Sequence, residues 1–131
     1  MTDRTCNHPI HQLVLLLIVL TLGSVSLPAW SHHSFAMFDK QKVTIIHCVV
    51  RKFSWTNPHV LLDVDVPGKK GEVTHYRIES ASVNILLHQG WKAKSIKAGD
   101  QLTLEFNPLK SGEAGGLLVQ VTLPDGTVLK G

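Results

Sequence analysis

Residues 43–66 read VTIIHCVVRKFSWTNPHVLLDVDV, a strand, a turn and a second strand in order of residue type. The β-branched run at 43–54 suits a pleated surface and is long enough to be a bent first strand. Thr56-Asn57-Pro58 ends it, because proline has no amide hydrogen and asparagine favours turns. From 59 to 66 the alternation is strict. Val60, Leu62, Val64 and Val66 share one face, and His59, Leu61, Asp63 and Asp65 share the other. One face buried and one wet is the pattern of a sheet wrapped around a single core.

Downstream, Pro67-Gly68-Lys69-Lys70-Gly71 reads as a hairpin loop into a third strand at 72–79, where Tyr76 and Ile78 point opposite to His75, Arg77 and Glu79. The period then changes. Val83, Leu86 and Leu87 have helical spacing, Ser82 or Ser80 is placed to cap the amino end, and Gly90 suits a left-handed C-terminal stop with Trp91 packing back on Leu86. A turn at Ala98-Gly99-Asp100 precedes a fourth strand at 101–107. Residues 108–116 read as a flexible Gly- and Ser-rich loop before a fifth strand at 117–123. Asp125-Gly126 is a tight-turn signal that folds 127–129 back as a short sixth strand. The SGEAGG segment lacks the Lys-Ser/Thr ending of a phosphate-binding loop. Three strands, a helix and two strands predict a mainly β, five-stranded OB-like Greek-key barrel with one short helix between strands 3 and 4. A small sandwich is the alternative.

Upstream lies a different kind of sequence. Arg4, His8 and His11 precede LVLLLIVLTL at 13–22, and Gly23, Ser24 and Pro28 break that run before the small residues Ala29 and Ser31. This is the order of a cleavable signal peptide, and the apolar run is about half the ~20 residues a membrane-spanning helix needs. The expected organisation is therefore a signal peptide at 1–31, a linker at 32–42 and the barrel domain at 43–131. The expected address is the periplasm, with no stable membrane anchor after processing.

With 131 residues in all, the chain has room for one modest core, which excludes a large multi-domain enzyme. The formal charge of +3 survives processing, because Arg4 and Asp3 leave together. The lysines are scattered among acidic residues rather than gathered into a basic stripe, so no nucleic-acid partner is expected. Cys6 falls in the leader, leaving Cys48 without an intramolecular partner, and its apolar setting reads as a buried small hydrophobe.

Histidine is the abundant functional residue: His32, His33, His47, His59, His75 and His88 remain after processing. There is no C-x-x-C and no H-E-x-x-H, so a metal site would be built of imidazoles, which suit Cu(II), Zn or Ni. Cleavage after Ser31 gives His32 a free amine beside its ring. Cleavage after Ala29 gives Trp30-Ser31-His32, whose amine, amides and imidazole can surround Cu(II) in a plane. The candidate metal set is His32, His33 and His59, set against a plain polar terminus. The candidate ligand face is Trp55, Asn57 and His59, at the end of the first strand where OB barrels often present ligand-binding loops. Glu79 and His59 have the chemistry of an acid/base pair, but nothing in the sequence brings them together and no nucleophile elbow surrounds Ser80 or Ser82. No catalytic residues are assigned.

Taken together, HHSFAMFD at 32–39, FSWTNPH at 53–59, LLHQGW at 86–91, the AGD turn at 98–100 and the 108–116 loop resemble a family of small exported proteins. Its members come mostly from Gram-negative bacteria, and it is known only as a domain of unknown function. The resemblance spans the mature chain; it implies a periplasmic address and supplies no activity. Family members commonly carry Gly where this chain has His47-Cys48, and Glu where it has Ser54. Such a Gly would mark a bulge. The expectation is a non-catalytic module for an unknown periplasmic ligand or protein, with a copper-binding or copper-handling protein as the alternative and an enzyme as a distant third.

Overall fold

The computed structural model describes residues 35–131. Among the described residues there are six strands: β1 (Thr44–Ser54), β2 (Leu61–Pro67), β3 (Val73–Glu79), β4 (Gln101–Pro108), β5 (Gly115–Thr122) and β6 (Val128–Lys130). One α-helix, α1 (Val83–His88), lies between β3 and β4. Among the described residues no helix is long and apolar enough to cross a membrane.

Hydrogen bonding runs β3-β2-β1-β4-β5-β6, and β3 also pairs with β5 in parallel, closing the first five strands into a barrel. This is the OB-type order, and it decides between barrel and sandwich. β1 makes closure possible by serving two neighbours. Thr44 to Val49 pair with β4 and Val49 to Ser54 pair with β2. The strand changes partner at a bulge, where Val50 faces Val64, Lys52 faces Asp63 and Arg51 is skipped. The bulge therefore lies beyond His47-Cys48, where Cys48 pairs regularly with Leu102 and is buried. It also resets the parity of the strand. Ile46, Cys48 and Val50 face inward before it, and Phe53 and Trp55 pack inward after it.

A second bulge sits in β5. Glu105 faces Gln120 while Phe106 faces Leu118, so Val119 is extra and both Leu118 and Val121 reach the core. Strict alternation could not place both of them inside.

Two segments differ from the sequence expectation. Gly115 and Gly116 belong to β5 rather than to a flexible loop, and they make the barrel's closing contact, with Arg77 facing Gly115 and Ile78 facing Gly116. A Cβ on Gly115 would lie 2.8 Å from the Arg77 carbonyl oxygen, and one on Gly116 would run into the Phe106 ring and the Asn107 carbonyl. Only residues without a side chain let β5 come this close. Part of the 32–42 linker is also fixed. A 3-10 turn at Phe35–Met37 leads to Phe38, which is 4% exposed and bridges to Leu109.

The α1 stop is as expected. Gly90 has φ +90, its N–H donates to the Leu87 carbonyl at 3.2 Å, and the Trp91 N–H donates to the Leu86 carbonyl at 3.0 Å. Trp91 and Leu86 are both buried, and the Trp91 Nε1–H donates to the Lys130 carbonyl at 2.6 Å, tying β6 to the helix end.

Candidate functional site: the β1–β2 loop and the end of β3

Trp55 to Val60 connect β1 to β2, and Glu79 ends β3. The register Ser54 to Leu61 to Glu79 sets the three strand ends side by side. The ladder continues one step further, through the Ser80 N–H to the Val60 carbonyl at 2.9 Å and the Val60 N–H to the Ala81 carbonyl at 3.1 Å. His59 and Glu79 then occupy neighbouring positions on the outer face. His59 Nδ1 lies 2.5 Å from Glu79 Oε1, with side chains 27% and 14% exposed. In the neutral ring, an Nδ1–H donated to the carboxylate leaves Nε2 with acceptor character, and in the protonated ring the two groups form an ion pair.

Asn57 has a structural task at this site. Ser82 holds the N-cap position of α1 with φ −66 and ψ 157, but its hydroxyl makes no capping hydrogen bond, and the Ser80 hydroxyl is buried without a partner. Neither serine caps the helix as expected. Asn57 Oδ1 instead accepts the Val83 N–H at 3.1 Å. The cap comes from a residue 26 positions earlier in the chain, and it fixes the β1–β2 loop to the helix. The Asn57–Pro58 peptide within that loop is cis.

Trp55 is half-buried and packs on the core. Its ring lies 5.7 Å from that of Phe53, which in turn stacks on Trp91 at 6.1 Å with 24° between planes. The structure therefore brings His59 to Glu79, ties Asn57 to α1 and packs Trp55 against Phe53.

The remaining histidines lie elsewhere. His47 Nδ1 is 2.9 Å from Thr103 Oγ1 across β1 and β4, His75 pairs with Asp65 at 2.7 Å, and His88 ends α1. His32 and His33 lie outside the described residues, as does the segment 1–31 expected from the sequence to be a leader. Among the described residues, no group of three or more His, Cys, Asp or Glu side chains is placed to hold a metal ion.

In OB barrels the outer face of strands 2 and 3 often contacts ligand. Here that face is a ladder of polar contacts, ion pairs of Asp63 with Arg77 at 2.7 Å and of Asp65 with Arg51 at 3.5 Å, and a hydrogen bond between Asp65 and His75 at 2.7 Å. The hydrogen bond that Arg77 donates to Asp63, then the Asp63 charge, raises the Arg77 pKa further. Such exposed pairs organise a surface and add little stability.

The sequence profile of a family of unknown function, DUF6152, matches residues 19–120. The chain belongs to that family. The match takes in β1 to β4, α1, most of β5 and every candidate residue, so the His59–Glu79 end of the barrel lies within the DUF6152 region. No curated protein and no solved structure matches this DUF6152 chain.

Proposed function

We propose that this DUF6152 protein is exported to the periplasm and acts there as a non-catalytic binding module, contacting its ligand with Trp55, Asn57, His59 and Glu79. The observation that carries the reading is the His59–Glu79 contact, a polar pair held partly buried at a barrel end whose loop is fixed by the Asn57 cap. A site pre-ordered in this way gives up little conformational entropy when a ligand engages it. Export is supported by the order of charged, apolar and small residues across 1–31.

Native mass spectrometry of the protein recovered from the periplasm tests both parts. The expected chain mass is that of a processed protein, and a small molecule retained by wild type is expected to be lost from His59→Ala and Glu79→Gln. An uncleaved leader refutes export. A ligand retained equally by both variants, or no retained ligand at all, refutes the site.

The same pair favours one second reading. Metal-bound histidines commonly donate their other ring N–H to a carboxylate, which is the relation of His59 to Glu79. In that reading the processed terminus brings His32 and His33 to His59 and holds Cu(II). Titration of the processed protein is expected to give copper affinity tighter than about micromolar that falls in His32→Ala, His33→Ala and His59→Ala. Unchanged affinity in these variants rejects the copper site.

A further inference from the structure

The turn at Phe35–Met37 presents apolar side chains outward from a rigid base. Phe35 is 53% exposed and Met37 43% exposed, while Phe38 beside them is buried. Four backbone bonds hold the turn. Phe38 N–H donates to the Phe35 carbonyl at 3.2 Å, Asp39 N–H to Pro108 at 2.9 Å, Lys110 N–H to Met37 at 2.9 Å and Lys42 N–H to Asp39 at 3.1 Å. Phe35 and Met37 are therefore displayed rather than free to fold back, and the ordering entropy of a docking surface is already spent in folding.

The charge around the turn is basic. Lys40 Nζ lies 4.7 Å above the Phe35 ring centre, and Lys40 and Lys110 line a cleft of about 510 Å³ together with Phe35 and Phe38. Lys42 lines the neighbouring cleft with Lys110. Two carboxylates lie nearby, both engaged locally: Asp39 Oδ1 accepts the Gln41 N–H at 3.2 Å, and Glu113 Oε2 accepts the Ser111 hydroxyl at 3.2 Å. An exposed aromatic and a Met side chain with a surplus of lysines over carboxylates beside them have the composition of a surface that enters the interface of an anionic bilayer.

Position in the chain points to the same partner. The apolar run at 13–22 is separated from Phe35 by residues 23–34, twelve residues that span roughly 40 Å at most. On the export reading proposed above, the precursor's turn is thus within reach of the bilayer that receives the apolar run.

We propose that the Phe35–Met37 turn is a lipid-contact patch, with Phe35 and Met37 entering the headgroup region of an anionic membrane and Lys40, Lys42 and Lys110 meeting its phosphates. The contact is reversible and does not involve the Trp55–His59 end of the barrel. Two inserted side chains and three lysines, each worth about 1 kcal/mol at an anionic surface, give peripheral binding rather than anchoring.

Co-sedimentation with vesicles tests this on residues 32–131, which contain the buried core of the described residues from Phe38 to Val121 and whose folding is checked by a cooperative thermal melt. Binding is expected to vesicles of phosphatidylglycerol and phosphatidylethanolamine at low ionic strength and to be weak on pure phosphatidylcholine. The double variant Phe35→Ser/Met37→Ser is expected to lose at least about tenfold in partitioning. Lys40→Gln/Lys110→Gln is expected to lose about fivefold per lysine. Val128→Ser, which removes a residue 51% exposed on β6, is expected to bind as wild type. No binding to the anionic vesicles, equal binding to the neutral ones, or the same loss in Val128→Ser overturns the proposal. A thermal melt of each variant confirms that the fold is intact.

Discussion

Gly116→Ala tests whether the barrel closes as described. Gly116 pairs with Pro108 on one side and Ile78 on the other, at the only place where β3 and β5 meet among the described residues. The added methyl meets the Phe106 ring, which is 1% exposed, and the Asn107 carbonyl. A buried ring and a backbone oxygen yield poorly, so overpacking costs about 1–3 kcal/mol. Replacing glycine also narrows the unfolded ensemble, which offsets about 0.4–1 kcal/mol. A net loss of about 1–2 kcal/mol in a domain of this size lowers Tm by roughly 5–15 °C. Thermal unfolding followed by circular dichroism reads the total. Amide exchange localises it, because the Arg77 N–H that donates to Ala114 at 3.2 Å belongs to the closing seam. Faster exchange is expected at Arg77 than at β2 amides. A Tm within about 2 °C of wild type, or unchanged exchange at Arg77, would show that β5 does not approach β3 through Gly116.

Three further outcomes are expected. Asn57→Ala removes the cap on α1 and should cost about 1 kcal/mol in urea unfolding, with Ser82→Asp recovering part of the loss by supplying a local cap. Ser80→Ala removes a buried hydroxyl that has no hydrogen-bond partner, so it should be neutral or stabilising by up to about 1 kcal/mol; a loss above that would reveal a hidden partner. Burial pushes the Cys48 thiol from 9.0 to about 11. A thiol with a raised folded pKa stabilises the fold fully below the unfolded value and loses that contribution as pH climbs to the folded one. Stability should therefore decline between about pH 9 and 11, less so in Cys48→Ala, and native Cys48 should resist a thiol reagent at neutral pH.

The legible parts of the fold are those whose signal is local. Alternation at Leu61 to Val66 marks the core face of β2, where Leu62 and Val64 are 3% and 0% exposed. The Gly90-Trp91 stop is readable because the left-handed glycine, the returning amides and the contact with Leu86 lie within a few residues. Gly115 and Gly116 mislead for the opposite reason. In sequence they look like loop residues, and their function in the sheet depends on Phe106 of the adjoining β4 and on Arg77 of β3, which is distant in the chain. The two bulges are hidden as well, since an extra residue at Arg51 or Val119 is defined only by its partner strand.

The same division runs through the candidate site. His59 and Glu79 both fall on the outer face by parity, which the sequence alone determines. Their 2.5 Å contact follows from the register that sets Leu61 against Glu79, and a register is chosen by long-range pairing. Asn57 announces a turn by its type, yet the helix whose N–H it accepts is 26 residues away. By itself, then, the sequence determined the element order, the inward face of β2, the helix stop and the leader-like start, because each is a matter of neighbours along the chain. Closure through two glycines, the Asn57 cap and the His59–Glu79 pair were decided only by tertiary structure, because each joins atoms that folding alone brings together.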